Sequence, residues 1–317
     1  MCDDSDYWTL LQNNFKTIIS KHQYYNKMYE FLKKTEVNAL LYGCYGFPTD
    51  IFINEVIKCK FGIKTIYRQE CIYNKDIIYF HNQYFLEIDL SNPSSCKKFA
   101  NIGKFLTGII KNKNISNRKH FIILKHIDVL NPDEFSIFRI ILENFSNNVY
   151  FLCTTHKLDK IDVPVKSRFA LIRMPLFEHS DIKSIFTKYL KIKLNPYLAK
   201  IKTRNLIKAI YIAYIESKNK ELVTEDFCSL NYPPLKDFVN NLDKKQNNLD
   251  EIRKLSYQIF QYNISIPDIL QDLLKIMSNK SKISIIQSAA EIDHMLVLTN
   301  RGREPIYIEA FLCSVFI

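Results

Sequence analysis

No apolar run in this chain approaches the ~20 residues that a bilayer span requires, so a membrane-crossing protein is not expected. Metal-binding cysteine spacing is missing too. The eight cysteines (Cys2, Cys44, Cys59, Cys71, Cys96, Cys153, Cys228 and Cys313) include no C-x-x-C pair. None sits beside a histidine as a zinc ligand would. Reduced, mostly buried thiols are expected, with no metal and no disulfide. The acidic start, Met1 to Asp6, lacks the layout of a signal peptide; a cytosolic or nuclear, reducing compartment is the expectation. Glycine is scarce, at 6 in 317 residues. With abundant Asn, Ile, Lys and Tyr, this suggests an AT-rich coding genome. No repeat or low-complexity tract is present.

What is there is ordinary globular composition, 47% hydrophobic and 24% charged, in a chain long enough for two or three domains. A net charge of +11 makes a polyanionic partner plausible through counterion release. A lysine-rich solubilising surface accounts for it equally well.

The most informative segment is Leu41 to Asp50 (Leu-Tyr-Gly-Cys-Tyr-Gly-Phe-Pro-Thr-Asp). It follows an apolar strand at Ala39 to Tyr42 and precedes a helix-like run at Ile51 to Val56. This is the outline of a phosphate-binding loop, G-x-x-x-x-G-K-[ST], without its charged content. Counting from Gly43, Pro48 holds the second glycine position, Thr49 the lysine position and Asp50 the hydroxyl position. Proline removes a phosphate-facing N–H, and a carboxylate at the last position repels an anion. Gly43, Gly46, Thr49 and Asp50 are thus the residues of an idle nucleotide site.

Periodicity predicts helical structure over about Trp8 to Leu32 and strands at Thr65–Tyr67, Asp76–Phe80 and Tyr84–Ile88. It predicts an amphipathic helix over about Lys97 to Lys111 and a buried strand at Phe121–Leu124. A helix over Asp133–Asn144 and strands at Val149–Cys153 and Ala170–Met174 follow. Strands alternating with helices over ~170 residues argue for a mainly parallel α/β sheet with helices on both faces. Beyond Pro175 the pattern is helical, with Tyr232-Pro233-Pro234 as a linker.

Taken in order, these segments resemble a small subunit of a sliding-clamp loader, the replication factor C type among the AAA+ ATPases. Phe15 to His22 resembles the family's entry helix. Gly43 to Asp50 stands in the Walker A place and Leu124-Lys125-His126-Ile127-Asp128 in the Walker B place. There the metal-binding aspartate is Lys125 and the water-activating glutamate is His126. Pro164-Val165-Lys166-Ser167-Arg168-Phe169 resembles the Ser-Arg-Cys motif, with Phe169 in place of cysteine. His156 falls at sensor 1 and Ile207 at the sensor 2 arginine. Ala290 to Met295 and Tyr307 to Leu312 resemble the last helices of the family's collar. The strand-rich insert from Thr65 to Ile88 resembles the subunit class with a degenerate ATPase site, similar to the bacterial delta-prime subunit.

The resemblance implies an AAA+ domain over 1–175, a helical lid over 176–232 and a helical collar over 233–317. It implies a non-hydrolysing subunit of a hetero-pentamer that helps load a sliding clamp on primer–template DNA. Arg168, preceded by Ser167, would act in trans at a neighbour's ATP. No cofactor is required by this chain itself; ATP or ADP with Mg²⁺ is expected only at the interface with a neighbour. Lys97, Lys98, Lys104, Lys111 and Arg139 are candidate contacts to DNA phosphates, or an ordinary solvated face. The AT-rich composition also suits a viral replication site. Two other functions fit the residues: a standalone AAA+-fold adaptor for protein binding, and a non-specific DNA-binding protein.

Overall fold

The computed structural model describes residues 7–74, 77–91, 99–111, 119–218, 223, 235, 249–261, 264, 266–277, 282–298 and 304–316. Cα proximity divides the chain into two units, Met1–Leu194 with Lys202–Tyr214, and Asn195–Ile201 with Ile215–Ile317.

The first unit is built on strands β1 (Ala39–Tyr42), β2 (Gln69–Tyr73), β3 (Ile77–His81), β4 (Leu86–Asp89), β5 (His120–Lys125), β6 (Val149–Thr155) and β7 (Ala170–Arg173). They form one sheet in the order β2-β3-β4-β5-β6-β1-β7. From β4 to β7 all neighbours run parallel, while β2 and β3 pair antiparallel as a hairpin against β4. The helices before the second unit's bundle are α1 (Tyr7–Ser20), α2 (Gln23–Lys34), α3 (Thr49–Phe61), α4 (Phe99–Lys111), α5 (Pro132–Asn144), α6 (Val163–Lys166), α7 (His179–Ile185), α8 (Pro196–Lys200) and α9 (Leu206–Lys218); α8 belongs to the second unit.

Alternation along each strand splits the core into two layers. On one face Ile122, Leu124, Phe151 and Cys153 pack with Ile102 and Leu106 of α4 and with Phe135, Phe138 and Ile141 of α5. On the other, Phe121 stacks on Tyr150 at 4.8 Å and meets Phe61 at the end of α3. The expected mainly parallel sheet covered on both faces is what the chain forms. α5 starts at a full capping box: the Asn131 side chain accepts from the Glu134 N–H, and Glu134 accepts from the Asn131 N–H.

One local expectation is refined and another fails. The helical stretch expected over Trp8 to Leu32 is two helices, broken at Lys21–His22. Those residues close a tight turn (Lys21 N–H to the Ile18 carbonyl, 3.2 Å), and the His22 ring packs edge-on against Tyr25 and Phe177. Thr65–Tyr67 is not a strand: Tyr67 is exposed and its carbonyl accepts from the Asn82 side chain instead of a ladder partner. The strand lies further on, at Gln69–Tyr73, with a largely exposed face.

The second unit is helical: besides α8 it contains α10 (Leu249–Gln261), α11 (Ile266–Ile276), α12 (Lys282–Leu298) and α13 (Glu304–Phe316). Its core gathers Ile252, Leu255, Ile259, Ile269, Leu273, Ile285, Phe311 and Leu312. Arg253 of α10 pairs with Glu309 of α13. No described helix is long and apolar enough to cross a membrane.

Candidate functional site: an altered phosphate loop and a clamped arginine

β1 ends at Tyr42 and the chain turns through Gly43–Pro48 into α3. Both glycines answer to packing. A Cβ on Gly43 would lie 2.3 Å from the Met174 carbonyl oxygen, beside the bond from the Met174 N–H to the Tyr42 carbonyl. Gly46 sits at φ 129°, and a Cβ there would fall 2.7 Å from the Asn205 side chain. The Gly46 carbonyl accepts from the N–H groups of Leu206 and Ile207, which ties the loop to the start of α9. Phe47 anchors the apex, stacked on Tyr25 at 5.2 Å and on Phe177 at 5.3 Å. Pro48 precedes α3 and gives no side-chain cap. Thr49 donates weakly to the Phe47 carbonyl, at 3.4 Å.

A cleft of about 460 Å³ opens at the loop, lined among others by Trp8, Lys125, His126, Thr155, His156 and Ile207. The start of α3 and the end of β5, 75 residues apart in sequence at the contact of Asp50 with Lys125, meet there. Lys125 Nζ lies 2.7 Å from an Asp50 oxygen and 2.7 Å from Glu87 Oε1. Burial lowers the pKa of this ammonium, but Glu87 and Asp50 outweigh it and hold the pKa above the ordinary lysine value. Glu87, itself buried, takes Arg68 Nε on its other oxygen at 2.8 Å, and Arg68 donates to the Asn54 side chain at 2.6 Å.

His126 occupies the left-handed region, φ 57°, an uncommon conformation for a residue with a Cβ. Its N–H donates to Thr154 Oγ1, and its Nδ1 lies 3.0 Å from Asp89 Oδ1. His156 directs Nδ1 to the Gly43 carbonyl at 3.0 Å, so that nitrogen carries the proton. The two imidazole centroids are 5.7 Å apart. Burial would raise the Asp89 pKa, but hydrogen bonds from His126 and Ser91 hold it well below the usual carboxylate range. The bond to Asp89 raises the His126 pKa in turn, against burial.

That pair has a pH signature. His126 is raised, so its contribution to stability is full below the ordinary histidine value of 6.5 and is lost as pH rises through the folded value. Asp89 is depressed, so its contribution is full above 3.8 and is lost as pH falls. His126→Asn, which tolerates the left-handed backbone, should therefore melt lower than the natural chain by about 2–4 °C near pH 5–6. The gap should close at alkaline pH. A gap that stays constant from pH 5 to 9 would show that the pair does not titrate as described.

Mg²⁺ demands oxygen ligands in near-octahedral array. Asp50 and Lys125, which the sequence resemblance sets at the metal-holding positions, are a carboxylate and an ammonium already paired to each other, and these residues do not fit the ion. Among the described residues, no group of three or more His, Cys, Asp or Glu is arranged to hold a metal.

Arg168 lies elsewhere in the same unit, after the single turn of α6. Its Nη1 donates to the Pro164 carbonyl and its Nη2 pairs with Glu143 near the end of α5; the side chain remains one-third exposed. Ser167 is exposed and donates to the Pro164 carbonyl at 2.9 Å. Arg139, one turn before Glu143, places Nε 3.9 Å from the same carboxylate. Glu143 thus holds two guanidinium groups. Lys104 and Lys111 are exposed on α4; Lys97 and Lys98 lie outside the described residues.

The structure brings Gly43, Gly46, Thr49 and Asp50 together with Lys125, His126 and His156, and joins Arg139 to Arg168. Reasoning from sequence missed Glu87, Asp89 and Glu143, the three carboxylates that organise these cations. Little in their spacing marks them: Arg68, His126 and Arg168 lie 19, 37 and 25 residues from their carboxylates, and only Arg139 is a local partner, one turn from Glu143.

No family model matches the chain. Two curated proteins align with it. "Replication factor C subunit 5" of Saccharomyces cerevisiae is 23% identical over 221 residues, covering 63% of this chain and 62% of that protein. The protein of the same name from Schizosaccharomyces pombe is 23% identical over 212 residues, covering 60% and 58%. The chain therefore spans about three-fifths of the length of the relatives it matches. Among solved structures, the Aeropyrum pernix Orc1 protein in complex with DNA aligns at a TM-score of 0.48 and 13% identity, over 98% of this chain and 86% of that one. The chain is thus similar in sequence to these replication factor C subunits, and its fold is a mixed α/β sheet with flanking helices followed by further helical segments.

Proposed function

We propose that this chain is a non-hydrolysing subunit of a sliding-clamp loader, of the class with a degenerate ATPase site that bacterial delta-prime exemplifies. In this reading it sits beside an ATPase subunit, presents Arg168 to the ATP bound there, and helps place a clamp on primer–template DNA. Residues 1–175 form the AAA+ domain, 176–232 the lid and 233–317 the collar that joins the other subunits. ATP, ADP and Mg²⁺ belong to the interface with the neighbour. Lys104, Lys111 and Arg139 face DNA phosphates, which need only cations and N–H donors. Lys97 and Lys98 would extend the same stretch.

The observation that carries the reading is the contrast between the two sites. At the loop, the positions for lysine, hydroxyl, metal aspartate and catalytic glutamate are Thr49, Asp50, Lys125 and His126, and the charges among them are spent on one another. Phosphoryl transfer depends on positioning and charge neutralisation, and none of these side chains offers either. Arg168, by contrast, keeps its guanidinium partly at the surface, held by an exposed carboxylate, the Pro164 carbonyl and the Ser167 hydroxyl. The replication factor C relatives support the reading from sequence.

Co-expression with candidate ATPase subunits tests it. The expected result is a stable five-membered assembly, and ATP turnover by this chain alone at the background level of buffer. A chain that stays monomeric with every candidate would favour the adaptor reading. Turnover by the isolated chain comparable to an active subunit would contradict the idle site.

A further inference from the structure

We propose that the Lys125 ammonium is a tethered replacement for the divalent cation of this cleft, so that the loop is locked by the chain's own charges and is indifferent to Mg²⁺. The inference rests on the loop and strand equivalences used in the functional reading, but its substance is geometric. In a working phosphate-loop site, the hydroxyl at the last loop position and an aspartate at the end of another strand share one metal ion. Here the same two positions, Asp50 and Lys125, touch each other directly at 2.7 Å. The cation comes with the chain.

The contacts link five side chains in a row whose two ends both lie on α3, so the helix backbone closes them into a ring. Asp50 holds Lys125, Lys125 holds Glu87, Glu87 holds Arg68, and Arg68 holds Asn54, one helical turn beyond Asp50 on α3. The ring binds the first turns of α3 to β4, β5 and the segment before β2. It contains two cations and two carboxylates, so it leaves no uncompensated negative charge for an ion. Lys125 and Glu87 are mostly buried, their side chains 14% and 4% exposed. A buried pair with one partner removed is strongly destabilising, because the remaining charge loses its compensation. An entering metal would have to displace the ammonium from both carboxylates at once.

The test uses the isolated full-length chain without nucleotide. Mn²⁺ is the probe, read by paramagnetic broadening of the His126 and His156 imidazole NMR signals, beside thermal melting in EDTA, Mg²⁺ or Mn²⁺. For the natural chain, the melting temperature should move by less than about 1 °C among these conditions, with both imidazole signals unbroadened at millimolar Mn²⁺. Lys125→Met should melt lower, and no divalent ion should restore it. Lys125→Asp gathers three carboxylates around the vacated position. It should melt lower in EDTA and recover by roughly 5 °C in millimolar Mn²⁺, with broadening of both imidazoles.

Broadening of the His126 and His156 signals in the natural chain would overturn the proposal. So would a Lys125→Met chain as stable as the natural one, or a folded Lys125→Asp chain that gains nothing from Mn²⁺. If Lys125→Asp does not fold even with Mn²⁺, the natural-chain spectra and Lys125→Met decide. Since the readout involves neither assembly nor ATP turnover, its failure would leave the role of Arg168 standing, and the reverse also holds.

Discussion

Arg168→Ala in the reconstituted assembly is expected to cut ATP turnover at the adjacent subunit by at least ~10³-fold, since an arginine supplied in trans is worth about 10³–10⁵ in rate. Assembly itself should be intact. The side chain is one-third exposed and its partners are an exposed carboxylate, the carbonyl of Pro164 and the exposed Ser167 hydroxyl, so little folding energy depends on it. Arg168→Lys should recover only a small part of the loss, because one ammonium cannot reproduce the planar fork that grips a phosphate in two places. Glu143→Gln is the informative companion. The carboxylate competes with the phosphate for the same guanidinium, so removing its charge should leave turnover unchanged or raised. Measured turnover that is indifferent to Arg168→Ala would reject the finger role, whatever the oligomer.

Gly43→Ala should be the most damaging of the mild substitutions. The added methyl would sit 2.3 Å from the Met174 carbonyl oxygen, where the loop leaves β1 against the end of β7. Relief requires either the loop or the strand end to move. The cost should be about 3 kcal/mol, at the upper end of overpacking effects, or roughly 6–12 °C in Tm for a chain of this size. Gly108→Ala on α4 is the control: nothing lies within 4 Å of its added methyl, and alanine favours the helix by about 0.5–1 kcal/mol. If thermal melting placed the two variants together, the close approach of loop and β7 would be wrong. The comparison also separates two reasons for keeping a glycine. One kept only to let phosphate approach would cost little stability when changed; this one should cost a good deal.

How much of this was legible in the sequence depended on how completely each segment is buried. β1, β5 and β6 announce themselves as short apolar runs because both faces of a central parallel strand are covered. α5 declares itself by its 3.6-residue spacing. β2 is silent: Gln69-Glu70-Cys71-Ile72-Tyr73 lies at the sheet edge with most of its residues exposed, so nothing forces alternation. The break at Lys21–His22 is silent for another reason, since neither residue is a helix breaker and aromatic packing around His22 decides the turn. At the site, the substitutions were readable one by one against the motif. That Asp50 and Lys125 compensate each other was not, because a contact across 75 residues leaves no mark in local pattern. The same limit hid Glu143, whose role appears only when α5 and the turn after α6 are side by side.

The position of β1 between β6 and β7 has a consequence for biosynthesis. Asn38, just before β1, takes the Phe151 N–H on its side chain and the Ala170 N–H on its carbonyl, and every ladder partner of β1 lies beyond residue 148. A ribosome therefore extrudes this apolar segment long before anything exists to pair with it. Closing such distant ends is entropically slow, and at ~5–20 residues per second the wait for both neighbours lasts many seconds. During that interval the N-terminal helices and the β2–β3 hairpin can form on their own local contacts, while Leu40 and Leu41 stay unshielded by their strand neighbours.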